Sequence, residues 1–281
     1  MNTPAEIAEQ YVKIGAGKAA QPLSKTLVLA ILAGLFIGFG AAGSTVAAAT
    51  VPQGSAAKLV SACIFPGGLT MVLLAGSELF TGNCLLSIPL LERKITLRQM
   101  LRNWGVVYLG NFIGAVCVAL CLTGAHLGGL FDGAVASSLI ETAAGKCSLS
   151  WSDALLRGVA CNFLVCIAVW IAFASKTPAG KVIGLFFPIM LFVVCGFEHS
   201  VANMFYIPAG LLAAADPAYA SAAAEGLTWG SFLLRNLLPV TAGNILGGSV
   251  LVGMGYWFVY LKQDGGAAAA AVTKEAVGWE R

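Results

Sequence analysis

The chain has 281 residues, of which 58% are hydrophobic and only 10% are charged, and its formal net charge is +3. Soluble domains are charged at about a quarter of their residues, so this composition excludes a soluble enzyme and indicates an integral membrane protein. The basic residues are spread along the chain instead of forming one patch, so we expect no nucleic-acid partner.

Residues 1–25 are polar, and the sequence predicts a short amphipathic helix there. Thr3 is a suitable N-cap, Pro4 suits the first helical position, and Glu6 completes a capping box. Apolar residues then recur on one face, which is typical of a helix lying at a membrane surface. We predict that this helix is cytoplasmic, with anchoring as the simpler role and gating of a nearby pore as the alternative.

Six apolar stretches are long enough to cross a bilayer, and they define a transport domain over residues 26–261. The second and fifth exceed the roughly 20 residues of a single span, so we predict that each is split into two half-helices. The stretch 123–153 reads as a loop between two halves, residues 26–122 and 154–261, and residues 262–281 read as a flexible cytoplasmic tail. The six predicted spans are Thr26–Ala49, Leu59–Leu91, Trp104–Leu122, Ala154–Ser175, Ile183–Ala213 and Ser231–Leu261.

The two long stretches contain the same polar template, at Gly76–Asn83 and Gly196–Asn203, with a carboxylate at Glu78 or Glu198. A group able to carry charge at that depth costs about 2.5–3.5 kcal/mol on insertion scales, so it is rarely without a role. Two such breaks, one in each half, indicate a duplicated transporter whose site lies near the middle of the membrane.

A second pair of segments supports the duplication. Five residues of the segment Asn103–Gly114 recur in Asn236–Gly247 at a constant separation of 133 positions. Each half has three spans, and because three is odd the second copy must be inverted in the membrane. We therefore predict an all-α membrane protein with an inverted 3+3 repeat. The recurring pairs are Asn103/Asn236, Val107/Val240, Gly110/Gly243, Asn111/Asn244 and Gly114/Gly247.

The distribution of basic residues predicts the orientation. With six spans, twelve of the sixteen Lys and Arg residues fall on the side of the two termini, and four fall on the other. The positive-inside rule then places both termini in the cytoplasm.

Four segments resemble the formate/nitrite transporter family, which includes hydrosulfide channels: Gly76–Thr81, Arg157–Trp170, Gly196–Phe205 and Pro239–Gly248. The resemblance extends over nearly the whole chain. It implies an aquaporin-like fold, a homopentamer in the cytoplasmic membrane with one pore per protomer, and passage of small monovalent anions of weak acids. Formate is favoured, while nitrite and hydrosulfide remain open because the motifs do not select among them.

His199 is the strongest candidate for the centre of the pore. It lies in the second break, and its unperturbed pKa of about 6.5 permits either protonation state at working pH. It could donate a proton to the passing anion, or it could remain neutral and offer only a hydrogen bond; a purely structural tie between half-helices is the third interpretation. The resemblance implies that Thr81 is its hydrogen-bond partner, that Asn244 completes the cluster, and that Asn162 faces the lumen nearby. Ordinary helix–helix hydrogen bonding is the alternative for each; we favour a functional role for Thr81 and leave both interpretations open for Asn162 and Asn244.

The resemblance also implies apolar constrictions on both sides of the histidine, and basic residues near the two pore mouths. Lys18 and Lys146 are the basic residues, and they would attract anions, although Lys18 fits equally well as one of the basic residues of the positive-inside rule. Glu78 and Glu198 could act as proton relays, but we favour a structural role, capping free backbone N–H groups at the breaks, where a carboxylate suits the positive end of a half-helix. The constriction positions are Phe65, Leu69, Leu79, Val165 and Phe192.

Two other classes of function compete with an anion channel. A membrane hydrolase using Ser200 or a cysteine with His199 lacks a G-x-S-x-G elbow, and adjacent residues on a helix diverge. A neutral-solute pore of the aquaporin type would carry two Asn-Pro-Ala boxes, which this sequence does not contain. Neither a C-x-x-C motif nor a His/Cys metal spacing occurs, so we expect no enzyme activity, cofactor or metal.

Overall fold

A computed structural model describes residues 1–219 and 224–262 of the chain. Within these ranges all regular structure is helical and no strand is present, which confirms the predicted all-α class. Apart from Lys262, the predicted flexible tail lies outside the described residues. The α-helices are α1 (Pro4–Ala20), α2 (Leu23–Ala48), α3 (Ser55–Ile64), α4 (Pro66–Leu74), α5 (Phe80–Asn83), α6 (Ser87–Leu91), α7 (Leu97–Gly124), α8 (Ala134–Cys147), α9 (Trp151–Ala174), α10 (Pro178–Val194), α11 (Ser200–Ala214), α12 (Leu238–Ile245) and α13 (Gly255–Tyr260).

Several of these helices can cross a membrane. In the described part of the chain, five helical segments combine sufficient length with an apolar composition: Leu23–Ala48, Ser55–Leu74, Leu97–Gly124, Trp151–Ala174 and Ser231–Tyr260. Three further apolar helices are shorter, at Phe80–Leu91, Pro178–Val194 and Ser200–Ala214. The last segment contains two π-helical stretches, Ser231–Leu237 and Leu246–Met254, on either side of α12. The chain is therefore a multi-pass membrane protein.

The two polar templates interrupt helices in the same way. Helix α4 ends at Leu74 and α5 begins at Phe80, while α10 ends at Val194 and α11 begins at Ser200. Gly76 and Gly196 adopt φ angles of +77° and +68°, in the left-handed region that glycine enters without steric cost. Each interruption thus turns the chain sharply and leaves non-helical backbone inside the helix bundle.

Two differences from the hydropathy prediction are larger than the rest. Helix α7 begins at Leu97, seven residues before the predicted Trp104, because Thr96 and Gln99 form a capping box ahead of a polar first turn. The predicted loop at 123–153 contains helix α8, whose buried face includes Leu139 and packs against α11. Hydropathy misses both features, since neither segment is continuously apolar.

Helix α1 packs into the protein, at the end of the bundle that we call the N-terminal face. Its residues Ile7 and Tyr11 are buried, and the Tyr11 hydroxyl donates to the carbonyl of Gly82 at 3.1 Å. Its predicted capping box is formed, and the hydrogen bond from the Thr3 backbone N–H lowers the pKa of Glu6. The apolar side of α1 therefore contacts the interrupted region directly.

Close backbone contacts at glycines hold the long helices together. Helix α2 packs on α7 with Gly114 against the carbonyl of Ile31, and α9 packs on α12 with Gly243 against the carbonyl of Leu155. Small residues allow this approach, which is how helices associate tightly in lipid.

We predict that Gly114→Ala destabilises the protein by roughly 1–3 kcal/mol, because its new Cβ would collide with the Ile31 carbonyl and force α2 away from α7. The matched control is Gly105→Ala in the same helix, where no atom lies within 4 Å of the added Cβ. Thermal unfolding of the purified protein in detergent measures both. Equal unfolding temperatures for the two variants would contradict the prediction.

Candidate functional site

The two interruptions meet through one side-chain contact. Thr81 Oγ1 and His199 Nε2 are 2.9 Å apart, and both residues are buried. His199 is also the N-cap of α11, where its Nδ1 accepts a hydrogen bond from the backbone N–H of Ala202 at 3.0 Å. An accepting Nδ1 carries no proton, so the proton of the neutral ring is on Nε2 and is donated to Thr81.

Each of the two carboxylates is held by a lysine and by asparagine side chains, one for Glu78 and two for Glu198. Glu78 Oε1 lies 2.9 Å from Lys18 Nζ, and its Oε2 accepts from Asn83. Glu198 Oε1 lies 2.8 Å from Lys146 Nζ, and its Oε2 accepts from asparagine side chains on α11 and on the last helical segment. In the described part of the chain, all hydrogen bonds to these carboxylates come from side chains. The prediction that the glutamates cap backbone N–H groups was therefore wrong.

Two asparagines do the capping instead. Asn111 Oδ1 accepts from the backbone N–H of Phe80, and Asn244 Oδ1 accepts from that of Ser200, each at 2.9 Å. Their Nδ2 groups donate to the carbonyls of Glu78 and Glu198 respectively. Asn244 thus stabilises the backbone of the second interruption. Its side-chain hydrogen bonds go to backbone groups and not to Thr81 or His199.

Asn162 also connects two backbone segments through its side chain. It is fully buried, and its Nδ2 donates to the backbone carbonyls of Thr81 and Asn244. It lines neither of the two cavities described below. These bonds agree with the alternative of helix–helix hydrogen bonding, and the lumen-facing position of Asn162 stays a prediction.

Two cavities approach the centre from opposite ends of the bundle. The larger, of about 480 Å³, opens at the end carrying α8, which we call the opposite face, and reaches His199. Phe65 and Phe192 both line it, with ring centroids 5.5 Å apart in an edge-to-face contact, and Phe192 is stacked on His199 at a centroid distance of 5.8 Å. The smaller, of about 50 Å³, lies under α1 on the N-terminal face and is lined by Leu69 and Leu79 among others.

The predicted constriction residues therefore divide into two groups. Phe65 and Phe192 lie beside the larger cavity, and Leu69 and Leu79 beside the smaller. Val165 is buried in the core and lines neither cavity. Within residues 1–219 and 224–262, no cluster of His, Cys, Asp or Glu could hold a metal ion.

Comparison with known proteins gives the family. A model described as "Formate/nitrite transporter" matches residues 5–258. The chain belongs to the formate/nitrite transporter family. The resemblance found in the sequence is therefore confirmed.

Relatives within the formate/nitrite transporter family are described as transporters or channels. The "Probable formate transporter" of Methanothermobacter thermautotrophicus is 41% identical, over 93% of this chain and 98% of that protein. "Formate channel FocA" of Escherichia coli strain K12 is 35% identical, over 93% and 95%. A solved structure, "Pentameric formate channel with formate bound", is 33% identical with a TM-score of 0.77 and covers 85% of this chain and 98% of that one. These findings support an anion-channel function for this family member.

Several structurally important residues were not singled out by sequence reasoning. Asn83 and Asn203 follow the two glutamates by five positions, and this shared spacing is a signal that could have identified them. The sequence identifies Asn111 as the repeat partner of Asn244, because the two share the constant separation of 133 positions. Its role could not be read from that separation, because the capped N–H lies 31 residues away in the chain.

Proposed function

We propose that this chain forms a channel for small monovalent anions of weak acids, with formate as the favoured substrate. Relatives named as formate channels support the substrate class. The pentameric state of one solved relative supports a homopentamer, with one pore in each protomer. The physiological site would be the cytoplasmic membrane, with both termini in the cytoplasm, as the distribution of basic residues indicates.

Within each protomer, we propose six spans arranged as an inverted 3+3 repeat. The second and fifth spans are the interrupted ones, and their breaks are at Gly76–Asn83 and Gly196–Asn203. The matching Glu–Lys–Asn clusters, and the matching asparagine caps, support an equivalence between the two halves. Non-helical backbone at membrane depth is tolerated where it lines a pathway inside the protein.

The pathway would run through the larger cavity, between Phe65 and Phe192, past the Thr81–His199 contact, and on between Leu69 and Leu79. Apolar side chains at these constrictions remove hydration water, so strongly hydrated ions and large solutes are rejected. A monovalent anion that loses its water needs hydrogen-bond donors in compensation. Among the described residues, Thr81 and His199 are the polar side-chain pair that we assign to the passage between these two sets of apolar residues.

The central pair would act as a source of hydrogen bonds. When His199 Nε2–H donates to Thr81 Oγ1, the threonine hydroxyl hydrogen is free to be donated to an anion in the pore. Formate in this apolar section also becomes a stronger base, because burial disfavours its charged form, and so it takes up a proton more readily from water. The neutral acid then crosses the apolar constriction at a lower desolvation free energy than the anion.

Direct protonation by His199 is the less favoured of the two roles. Forming the imidazolium would place a hydrogen on Nδ1, which faces the N–H of Ala202 at 3.0 Å. Two donors would then point at each other, and α11 would lose its N-cap. The 2.9 Å contact between Thr81 and His199 is the observation on which the proposed mechanism rests.

The proposal is tested by flux into proteoliposomes that contain the purified protein. We expect formate, nitrite and hydrosulfide to enter far faster than into protein-free liposomes, while glycerol does not. Comparing the three anions at equal concentration identifies the preferred one. Rapid glycerol entry would instead support a neutral-solute pore, and an absence of anion flux from correctly assembled protein would refute the proposal.

A further inference from the structure

The larger cavity contains more positive charge than its own carboxylates neutralise. Three cations and two carboxylates line it: Lys58, Lys146, Arg157, Glu141 and Glu198. Lys146 is paired with Glu198 at 2.8 Å. Glu141 is exposed and accepts only a long hydrogen bond, 3.4 Å, from Gln53. Within the described residues, the side chains of Lys58 and Arg157 make no salt bridge or hydrogen bond.

These two cations project from different helices into one space. Lys58 lies in the first turn of α3 and Arg157 in the second turn of α9. The Arg157 backbone carbonyl accepts a hydrogen bond at 3.3 Å from the N–H of Glu198, so this arginine is fixed next to the second interruption. The cavity floor is formed by Phe192 and His199.

Among the described residues, the smaller cavity has no equivalent pair of cations without a carboxylate partner. Lys18 is the cation that lines it, and its Nζ is occupied by Glu78 at 2.9 Å and by Asn83 at 3.1 Å. In the part of the chain that the structure describes, the two ends of the proposed pathway therefore differ in available positive charge, even though their Lys–Glu pairs are alike.

We infer that the larger cavity binds a small doubly charged oxyanion, such as sulfate, between Lys58 and Arg157, and that the bound dianion blocks the channel from this side. The predicted block rests on the proposed function, whereas the predicted binding does not. A guanidinium presents parallel N–H donors to two oxygens, and an ammonium contributes a second, compact charge. A monovalent anion can neutralise only one of these two cations.

The same charge that favours binding prevents passage. The cost of removing an ion from water rises with the square of its charge, so a dianion faces a far larger barrier at Phe65 and Phe192 than formate does. It would remain in the larger cavity and exclude formate competitively. The block is therefore expected from the opposite face and not from the N-terminal face.

The test measures formate flux in planar bilayers or in vesicles of known orientation, with sulfate added on one side only. Methanesulfonate at equal ionic strength is the control, since it keeps the sulfonyl group but carries one charge. We expect sulfate on the Lys58 side to inhibit strongly, while methanesulfonate and sulfate on the other side do not. Equal inhibition by both ions, or from both sides, would overturn the inference and indicate general screening.

Variants locate the site. In the double variant Lys58→Gln/Arg157→Gln we expect the half-inhibitory sulfate concentration to rise about tenfold, with flux normalised to the sulfate-free value of the same variant. Glu141→Gln removes a rim carboxylate and should strengthen the block. Size-exclusion chromatography verifies that each variant assembles. An unchanged half-inhibitory concentration in the assembled double variant would overturn the assignment to these residues.

Equilibrium binding of radiolabelled sulfate to the detergent-solubilised protein separates the two hypotheses. Saturable binding that the double variant loses supports the site, even if no anion permeates, in which case the proposed function alone fails. Formate flux without saturable sulfate binding or block retains the proposed function and refutes this inference.

Discussion

His199→Asn is expected to reduce formate flux roughly 5- to 150-fold while the protein still assembles. Asparagine can accept the hydrogen bond from Ala202 N–H and so keep the N-cap of α11. Its shorter side chain cannot reach Thr81, so the passing anion loses its hydrogen-bonding pair, at about 1–3 kcal/mol in the barrier. Rapid-mixing flux measurements in proteoliposomes, together with size-exclusion chromatography, test both parts.

Thr81→Val provides the matched control, since valine has nearly the same shape and no hydroxyl. Because Thr81 and His199 are in contact, the double variant should lose much less than the sum of the two single losses. Strictly additive losses would show that the two residues act independently. Wild-type flux in His199→Asn would contradict the central role of the histidine altogether.

The pH dependence distinguishes the two roles of the histidine. If His199 stays neutral, acidification increases formate flux in wild type and in His199→Asn alike, because formate itself takes up the proton. If the imidazolium is the proton donor, the variant should lose the increase between about pH 7 and 5, the range in which an unperturbed histidine titrates. Formate flux measured across this range in both proteins decides between these outcomes.

Lys146→Met is expected to destabilise the protein by about 3–5 kcal/mol. It would leave the Glu198 carboxylate, whose side chain is only 4% exposed, without its cationic partner. Removing the charge as well, in Lys146→Met/Glu198→Gln, should restore most of the stability, because glutamine can still accept from Asn203 and Asn236. Thermal unfolding in detergent measures all three proteins.

Lys58→Met is the control for the lost positive charge. Lys58 lines the same cavity as Lys146 but makes no ion pair within the described residues, so its replacement should change the unfolding temperature little. If Lys146→Met were no less stable than Lys58→Met, the Lys146–Glu198 pair would not be a stabilising contact.

The interruptions were predictable from sequence because they are local. A carboxylate, glycines and an asparagine stand out in an apolar stretch, and the left-handed φ angles of Gly76 and Gly196 follow from the same residues. The apolar helices were equally evident, since hydropathy needs only neighbouring residues. The juxtaposition of Thr81 with His199 came from the family resemblance, as no property of either segment alone indicates that they meet.

The partners of the glutamates were not predictable in this way. A helix-dipole argument considers only the local backbone and assigned the glutamates to capping, whereas Lys18, 60 residues earlier in the chain, provides a stronger electrostatic partner for Glu78. Likewise, the sequence cannot distinguish the paired Lys146 from the unpaired Lys58 and Arg157. That distinction depends on which side chains the tertiary structure brings within reach.

The position of Lys18 on α1 affects how truncated forms of this protein should be interpreted. Deleting the first twenty residues would uncover the smaller cavity, which Tyr11 lines, but it would also remove Lys18, the cationic partner of the buried Glu78. If the shortened chain conducts poorly or fails to assemble, the cause would then be the lost Lys18–Glu78 ion pair. Such a result would say nothing about gating by α1. Point changes on the apolar side of α1 that retain Lys18 would separate the two effects.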